Sequence, residues 1–195
     1  MKRLFDIVFS LLGLIILLPL FVIISVLIKL SSSGPVFYLQ TRVGLNGADF
    51  QLYKFRTMVI DADKNGLLTI GGRDPRITSV GYYLRKFKID ELPQLINVLF
   101  GTMSFVGPRP EMRKYVELYT DNQKKVLNIL PGITDFASLE YFNENDLLSK
   151  SEEPEQVYIR DVMPAKLKLN LKYMNETGFL TDLKIILRTI ARIFS

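Results

Sequence analysis

Residues 7–28 read IVFSLLGLIILLPLFVIISVLI, 22 positions without a charge, with Lys2 and Arg3 before them and Lys29 directly after. At about 1.5 Å per residue a helix of this length reaches roughly 33 Å, which matches a hydrocarbon core of about 30 Å. The run reads as a membrane segment, and it exceeds the apolar region of a secretory signal, usually about 7–15 residues. Pro19 lies inside it, where it removes a donor and clashes with the carbonyl of Ile15, so a kink is expected there. Basic residues stand on both sides (Lys2 and Arg3; Lys29, Arg42, Lys54 and Arg56), so the positive-inside rule does not separate the flanks. Two geometries stay open: a kinked single span, and a re-entrant helix that bends at Pro19 and returns to the same face. Residues 1–30 form a membrane-inserted unit and residues 31–195 the domain that follows.

With 195 residues, the chain has room for one domain plus that appendage. It contains no cysteine and no histidine, which excludes thiol nucleophiles, Ser-His-Asp triads and Cys/His zinc sites. Acid/base work falls to Asp, Glu, Lys or Tyr, and a bound metal would have oxygen ligands, which favours a hard ion such as Mg²⁺. Residues 1–60 and 163–195 each carry six Lys/Arg against two Asp/Glu, whereas residues 135–161 carry eight acids and two bases. Basic ends suggest an anionic surface or ligand.

Past the break Ser31-Ser32-Ser33-Gly34-Pro35, residues 36–43 are rich in β-formers and residues 50–55 alternate apolar and polar. Asn46-Gly47 between them is a hairpin signal, because both residues accept φ > 0. Residues 61–75 read as a long loop before a short helix over 80–87. The spacing of Leu92, Leu95, Ile96 and Leu99 predicts a helix N-capped by Asp90 and ended by Gly101. A further helix is expected from Pro110 to about Asp121, a turn at Pro131-Gly132, and a helix from Ala165. Leu183, Ile186, Leu187, Ile190, Ile193 and Phe194 share one face of a last, basic helix, which either faces the core or lies among lipid headgroups. The fold class is α+β: an N-terminal membrane helix, a small β-hairpin and a mainly helical domain with interfacial amphipathic helices.

The cluster of greatest chemical interest is Arg85-Lys86-Phe87-Lys88-Ile89-Asp90-Glu91, two adjacent carboxylates after three basic residues. It reads either as a capped helix or as a hard-metal site in which neighbouring carboxylates converge and Arg85 steadies a phosphate. Lys54 and Arg56 in Lys54-Phe55-Arg56-Thr57-Met58 are further anion-binding candidates. Arg109 is held between Pro108 and Pro110 on a stiff backbone that suits bidentate anion binding. Thr69-Ile70-Gly71-Gly72 is only a weak phosphate-loop candidate.

Taken in order, MKRLFDIVFS, GPVFYLQTRVG, YKFRTM, DPRIT, GYYLRKFKIDELPQLINVLFGTMSFVGPRPE, PGIT and FLTDLKIILRTI resemble the bacterial sugar transferases, the small monotopic phosphoglycosyl transferases. The resemblance extends over almost the whole chain. It implies an enzyme on the cytoplasmic face of the bacterial inner membrane that moves a phosphosugar from a UDP-sugar to a polyprenol (undecaprenyl) phosphate and releases UMP. It further implies Asp90 as the nucleophile, Mg²⁺ held by Glu91 with Asp90, Arg85 and Arg109 on the nucleotide-sugar phosphates, and a re-entrant helix kinked at Pro19. The chain departs from the family in Leu18 before Pro19, in Thr102 and Asn170 where Asp is common, and in Asp135 where Gly is common. A carboxylate nucleophile is consistent with a chain that lacks His and Cys. A different reading is a non-catalytic, membrane-anchored module that binds lipid or protein through the two chain ends. No nucleic-acid partner is expected, since the basic ends lack interleaved aromatics.

Overall fold

The computed structural model describes residues 2–62 and 74–193, and in it the apolar run forms helix α1 (Lys2–Ser31). The helix continues through Pro19. Proline deletes one hydrogen bond, to Ile15, whereas Leu17, Leu20 and Phe21 around it pack against the rest of the protein. Asp6, Ser10, Phe21, Ile24 and Ile28 form the buried stripe, at helical spacing. The opposite side is open, with Ile16 73% and Leu30 81% exposed. Among the described residues α1 is the one helix long and apolar enough to cross a membrane, and only 17% of its apolar window is buried. A core helix of a water-soluble protein would be mostly covered.

Both ends of α1 are fastened to the same body. Lys2 Nζ donates to Val106 O (2.8 Å) and Tyr173 Oη (2.9 Å) and pairs with Asp182 Oδ2 (2.6 Å). Asp6 accepts from Ser104 Oγ and Phe105 N, and Arg3 donates to the carbonyls of Val98 and Leu99. At the other end, Arg56 donates to the carbonyls of Ser32 and Ser33.

Strands β1 (Phe37–Val43) and β2 (Asp49–Phe55) form the expected antiparallel hairpin, in register from Phe37↔Phe55 to Val43↔Asp49. Asn46 (φ 55°) and Gly47 (φ 75°) turn it, as their tolerance of positive φ predicts. Helix α2 (Ser79–Lys86) is capped by Thr78, whose hydroxyl accepts from Gly81 N. A 3₁₀ turn (Ile89–Glu91) leads to α3 (Gln94–Phe100), which stops at Gly101 in the left-handed region. Asp90 is therefore not the N-cap of this helix. Lys88, itself left-handed (φ 56°), and Pro93 place Asp90 one turn before it.

Asn97 joins α3 to β2: its Oδ1 accepts from Tyr53 N (2.9 Å) and its Nδ2 donates to Gln51 O (2.7 Å). Strand β3 (Ser104–Val106) pairs in parallel with β4 (Gly132–Thr134), a ladder where the sequence shows only a turn. Three-residue strands are too short for period-two patterning. Gly107 and Gly132 permit the contact, since a Cβ on Gly132 would fall 2.1 Å from Gly107 N. The helix expected from Pro110 to Asp121 is instead two four-residue helices, α4 (Arg113–Val116) and α5 (Asp121–Lys124). The capping box of Thr120 and Gln123 starts a new helix there.

Helices α6 (Phe136–Glu140), α7 (Glu144–Leu148) and α8 (Pro154–Val157) precede a π-helical turn and α9 (Met163–Asn175), helical as its Ala/Leu/Lys content indicates. In α10 (Phe179–Ile193) Asp182 and Ile185 face the core, while Leu183, Leu187 and Ile190 stay exposed. Of the apolar stripe read from sequence, Ile186 packs against a core cluster, so the stripe is divided between core and surface. The main core gathers Val43, Tyr115, Tyr119, Leu148, Tyr158 and Leu167, and a second cluster packs Phe21, Ile24 and Ile28 of α1 on Phe55 and Leu84.

Asn97→Ala leaves a strand N–H and a strand carbonyl without their partner, a cost of about 1–3 kcal/mol. The melting temperature of the detergent-solubilised protein is expected to fall by about 3–9 °C. An unchanged value would show that water replaces both bonds.

Candidate active site

Three segments meet at a cavity of about 800 Å³: the end of β2, the turn after α2, and the loop after β3. Lys54, Arg85, Asp90, Glu91 and Arg109 all line it, so five side chains singled out in the sequence converge. Glu91 is the junction. Lys54 Nζ donates to its Oε1 (3.0 Å), Arg109 Nη1 to its Oε2 (3.1 Å), and Arg109 Nη2 to Oε1 as well. Burial alone would raise the Glu91 pKa, but the charges of Arg109 and Lys54 win and hold it well below the carboxylate range. Burial also lowers the pKa of Lys54, a trend that Glu91 partly offsets, and the charge of Glu91 raises that of Arg109.

Asp90 is 7% exposed, and its Oδ1 is buried with no hydrogen-bond partner. Burial, followed by the charge of Glu91, pushes its pKa up to about 6 against the pull of Lys54, Arg85 and Lys88. A helix cap would have spent that oxygen on backbone N–H groups. The capped-helix reading of Asp90 therefore fails, and a buried carboxylate oxygen free to meet a ligand remains. Arg85 lies in the last turn of α2, where its carbonyl accepts from Lys88 N (3.2 Å), and among the described residues its guanidinium makes no hydrogen bond or ion pair.

Arg56 contributes to the cavity wall, and its terminal nitrogens donate to the carbonyls of Ser33 and Ser32 and to Ser32 Oγ. Its visible role is to hold the end of α1. Thr69-Ile70-Gly71-Gly72 lies outside the described residues. Several residues of the cavity went unnoticed in the sequence. Glu111 accepts from Arg42 Nη1 (2.9 Å), from Met112 N (2.8 Å) and from Tyr158 Oη, and Lys166 pairs with Glu144 (2.6 Å). Glu111 stands two positions after Arg109 in one motif, a cue available in the sequence. Tyr158 and Lys166 carry no local signal.

No group of three or more carboxylates that could hold a metal exists among the described residues. The donor set still fits Mg²⁺, which is commonly held by one or two carboxylates plus substrate phosphates and water. Asp90 supplies the unpartnered oxygen, and Glu91 a carboxylate shared with Lys54 and Arg109.

A buried carboxylate among cations is the kind of site that handles phosphate groups, and the same chain carries one helix long and apolar enough to cross a membrane. A model of the bacterial sugar transferases matches residues 1–195, and the chain belongs to that family. It is 48% identical over 133 residues to a Bacillus subtilis protein provisionally named undecaprenyl-phosphate N-acetylgalactosaminyl 1-phosphate transferase, covering 68% of this chain and 70% of that one. It is 36% identical to the Escherichia coli K12 UDP-glucose:undecaprenyl-phosphate glucose-1-phosphate transferase over 100% of this chain and 40% of that protein. A further Bacillus subtilis relative, the uncharacterized sugar transferase EpsL, is 36% identical over 99% of this chain and 87% of its own length. This chain spans less than half of the Escherichia coli protein.

The ionisation of Asp90 also bears on stability. Its folded pKa of about 6 exceeds the ordinary 3.8, so the folded state binds the proton more tightly than the unfolded state does. Stability is then lost as pH rises from about 4 to 6 and stays reduced above that, by about 3 kcal/mol in total. Asp90→Asn removes the charge and is expected to raise the metal-free melting temperature at pH 8 by about 5–10 °C, with the gain shrinking towards pH 4.5. Equal melting at pH 8 would show that Asp90 ionises without penalty.

Proposed function

We propose that the protein transfers a sugar 1-phosphate from a UDP-sugar to undecaprenyl phosphate through a covalent Asp90 intermediate. The observation that carries this reading is the buried, unpartnered Oδ1 of Asp90 among Lys54, Arg85 and Arg109. A carboxylate so placed is shielded from water and faces cations able to gather a diphosphate.

In the first half-reaction an Asp90 carboxylate oxygen attacks the sugar-bearing phosphorus. The bond from that phosphorus to the bridging oxygen breaks, and UMP leaves with the electron pair. The product is an acyl phosphate that carries the sugar. In the second, a phosphate oxygen of the acceptor attacks the same phosphorus, and Asp90 departs as a carboxylate, which leaves undecaprenyl diphosphate sugar. Arg109 and Arg85 orient the diphosphate, and Lys54 counters the charge that gathers on its oxygens. Mg²⁺ held by Glu91 with Asp90 would neutralise phosphate charge and favour departure of UMP.

Both ends of α1 are tied to one body, which supports a helix that enters the bilayer and returns, on the cytoplasmic face of the inner membrane. The exposed side of α1 and Leu183, Leu187 and Ile190 of α10 would meet lipid.

Wild-type protein given a UDP-sugar without acceptor is expected to release UMP in a burst of at most one per enzyme and to gain a phosphosugar mass on the Asp90 peptide. The burst rate should fall as the medium is made more acid, because protonated Asp90 is no nucleophile. Asp90→Asn should show neither burst nor adduct. UMP release that requires both substrates, with no adduct after rapid quenching, would replace this scheme by direct transfer.

A further inference from the structure

Asp135 is fully buried and lies outside the cavity wall, yet its two carboxylate oxygens reach two functional segments. Oδ2 accepts from Arg109 N (3.1 Å), and Oδ1 accepts from Ser138 N (2.5 Å) to cap α6. The first bond is the only one of its kind available in Pro108-Arg109-Pro110, since neither proline has an N–H. Around it the backbone is already held, with Gly107 N donating to Thr134 O (3.1 Å) and Gly132 N to Pro108 O (3.0 Å). The carboxylate completes this lattice at the residue whose guanidinium grips Glu91. On its other side, α6 brings Ser138 and Leu139 to the cavity, and Ser138 Oγ is buried without a partner.

We infer that Asp135 is a positioning residue for the donor diphosphate: one buried carboxylate fixes the backbone of Arg109 and the start of α6, so the phosphate-binding guanidinium and the α6 wall keep a common register. The inference rests on the reading of Arg109 as a donor-phosphate ligand. Asp135 touches no substrate; it acts through Arg109. Two acceptor oxygens on one short side chain are required, which Asp supplies and Asn does not.

The test is a double-substitution cycle on the full chain in detergent, read by calorimetric binding of UDP with Mg²⁺. Asp135→Asn keeps a good cap for α6 but turns an amide NH₂ towards the Arg109 N–H. It is expected to weaken UDP binding about tenfold, and Arg109→Ala about 30-fold. The double variant should bind within about twofold of Arg109→Ala alone, because the effect of Asp135 passes through that guanidinium. Asp135→Ser, which can cap α6 with its single oxygen and leaves Arg109 N without a partner, should reproduce the Asn result if the Asn variant does not fold. Factors that multiply in the double variant, or wild-type affinity in Asp135→Asn, would overturn the positioning role. Wild-type affinity in Arg109→Ala alone would overturn the phosphate role of Arg109, and the role of Asp135 with it.

Discussion

The carboxylate of Glu91 holds the site together. Lys54 comes from the end of the hairpin, Glu91 from the turn before α3 and Arg109 from the loop after β3, segments far apart in sequence and joined here by one anion. Its side chain is 15% exposed, so the ion pairs are partly desolvated and removal of one partner would strand charge. Asp90 depends on the same arrangement. With its neighbour neutralised by Lys54 and Arg109, Asp90 can be buried without a hydrogen bond on Oδ1, at the cost of a raised pKa.

A second constraint is the one-sidedness of α1. Its polar anchors, Lys2, Arg3 and Asp6, bond β3, α3, α9 and α10, while Phe21, Ile24 and Ile28 pack on Phe55 and Leu84. The hairpin residue Phe55, flanked in the chain by Lys54 and Arg56, packs edge-on against Phe21 of the apolar helix. The apolar helix and the charged cluster around Glu91 thus share a support.

Much of this was legible in the sequence because the signals are local. The apolar run, Asn46-Gly47, the Gly101 stop and the Ala/Leu/Lys composition of α9 each act within a few residues, and each element formed where expected. The convergence of Lys54, Arg85, Asp90, Glu91 and Arg109 was legible only through their occurrence in family motifs, since no spacing rule joins positions 54 and 109. What failed depended on tertiary partners. Asp90 carries every local mark of an N-cap, yet a left-handed Lys88 moves it off the helix. The bonds from Arg56 to the carbonyls that follow α1 likewise join residues more than twenty positions apart and carry no local signal. The β3–β4 ladder and the Glu111 network arise from long-range pairing that periodicity does not encode.

The charge around Asp90 suggests why these cations are arranged as they are. Lys54, Arg85, Lys88 and Arg109 face two carboxylates, which leaves two positive charges uncompensated in the ligand-free site. A UDP-sugar diphosphate carries about two negative charges and would offset those of the protein under the proposed reaction. Arg109 is already engaged by Glu91, so the incoming diphosphate must compete with a carboxylate for it, and a cation that takes over Glu91 would ease that competition. Under the proposed reaction, metal and nucleotide sugar would then favour each other's binding through a shared arginine.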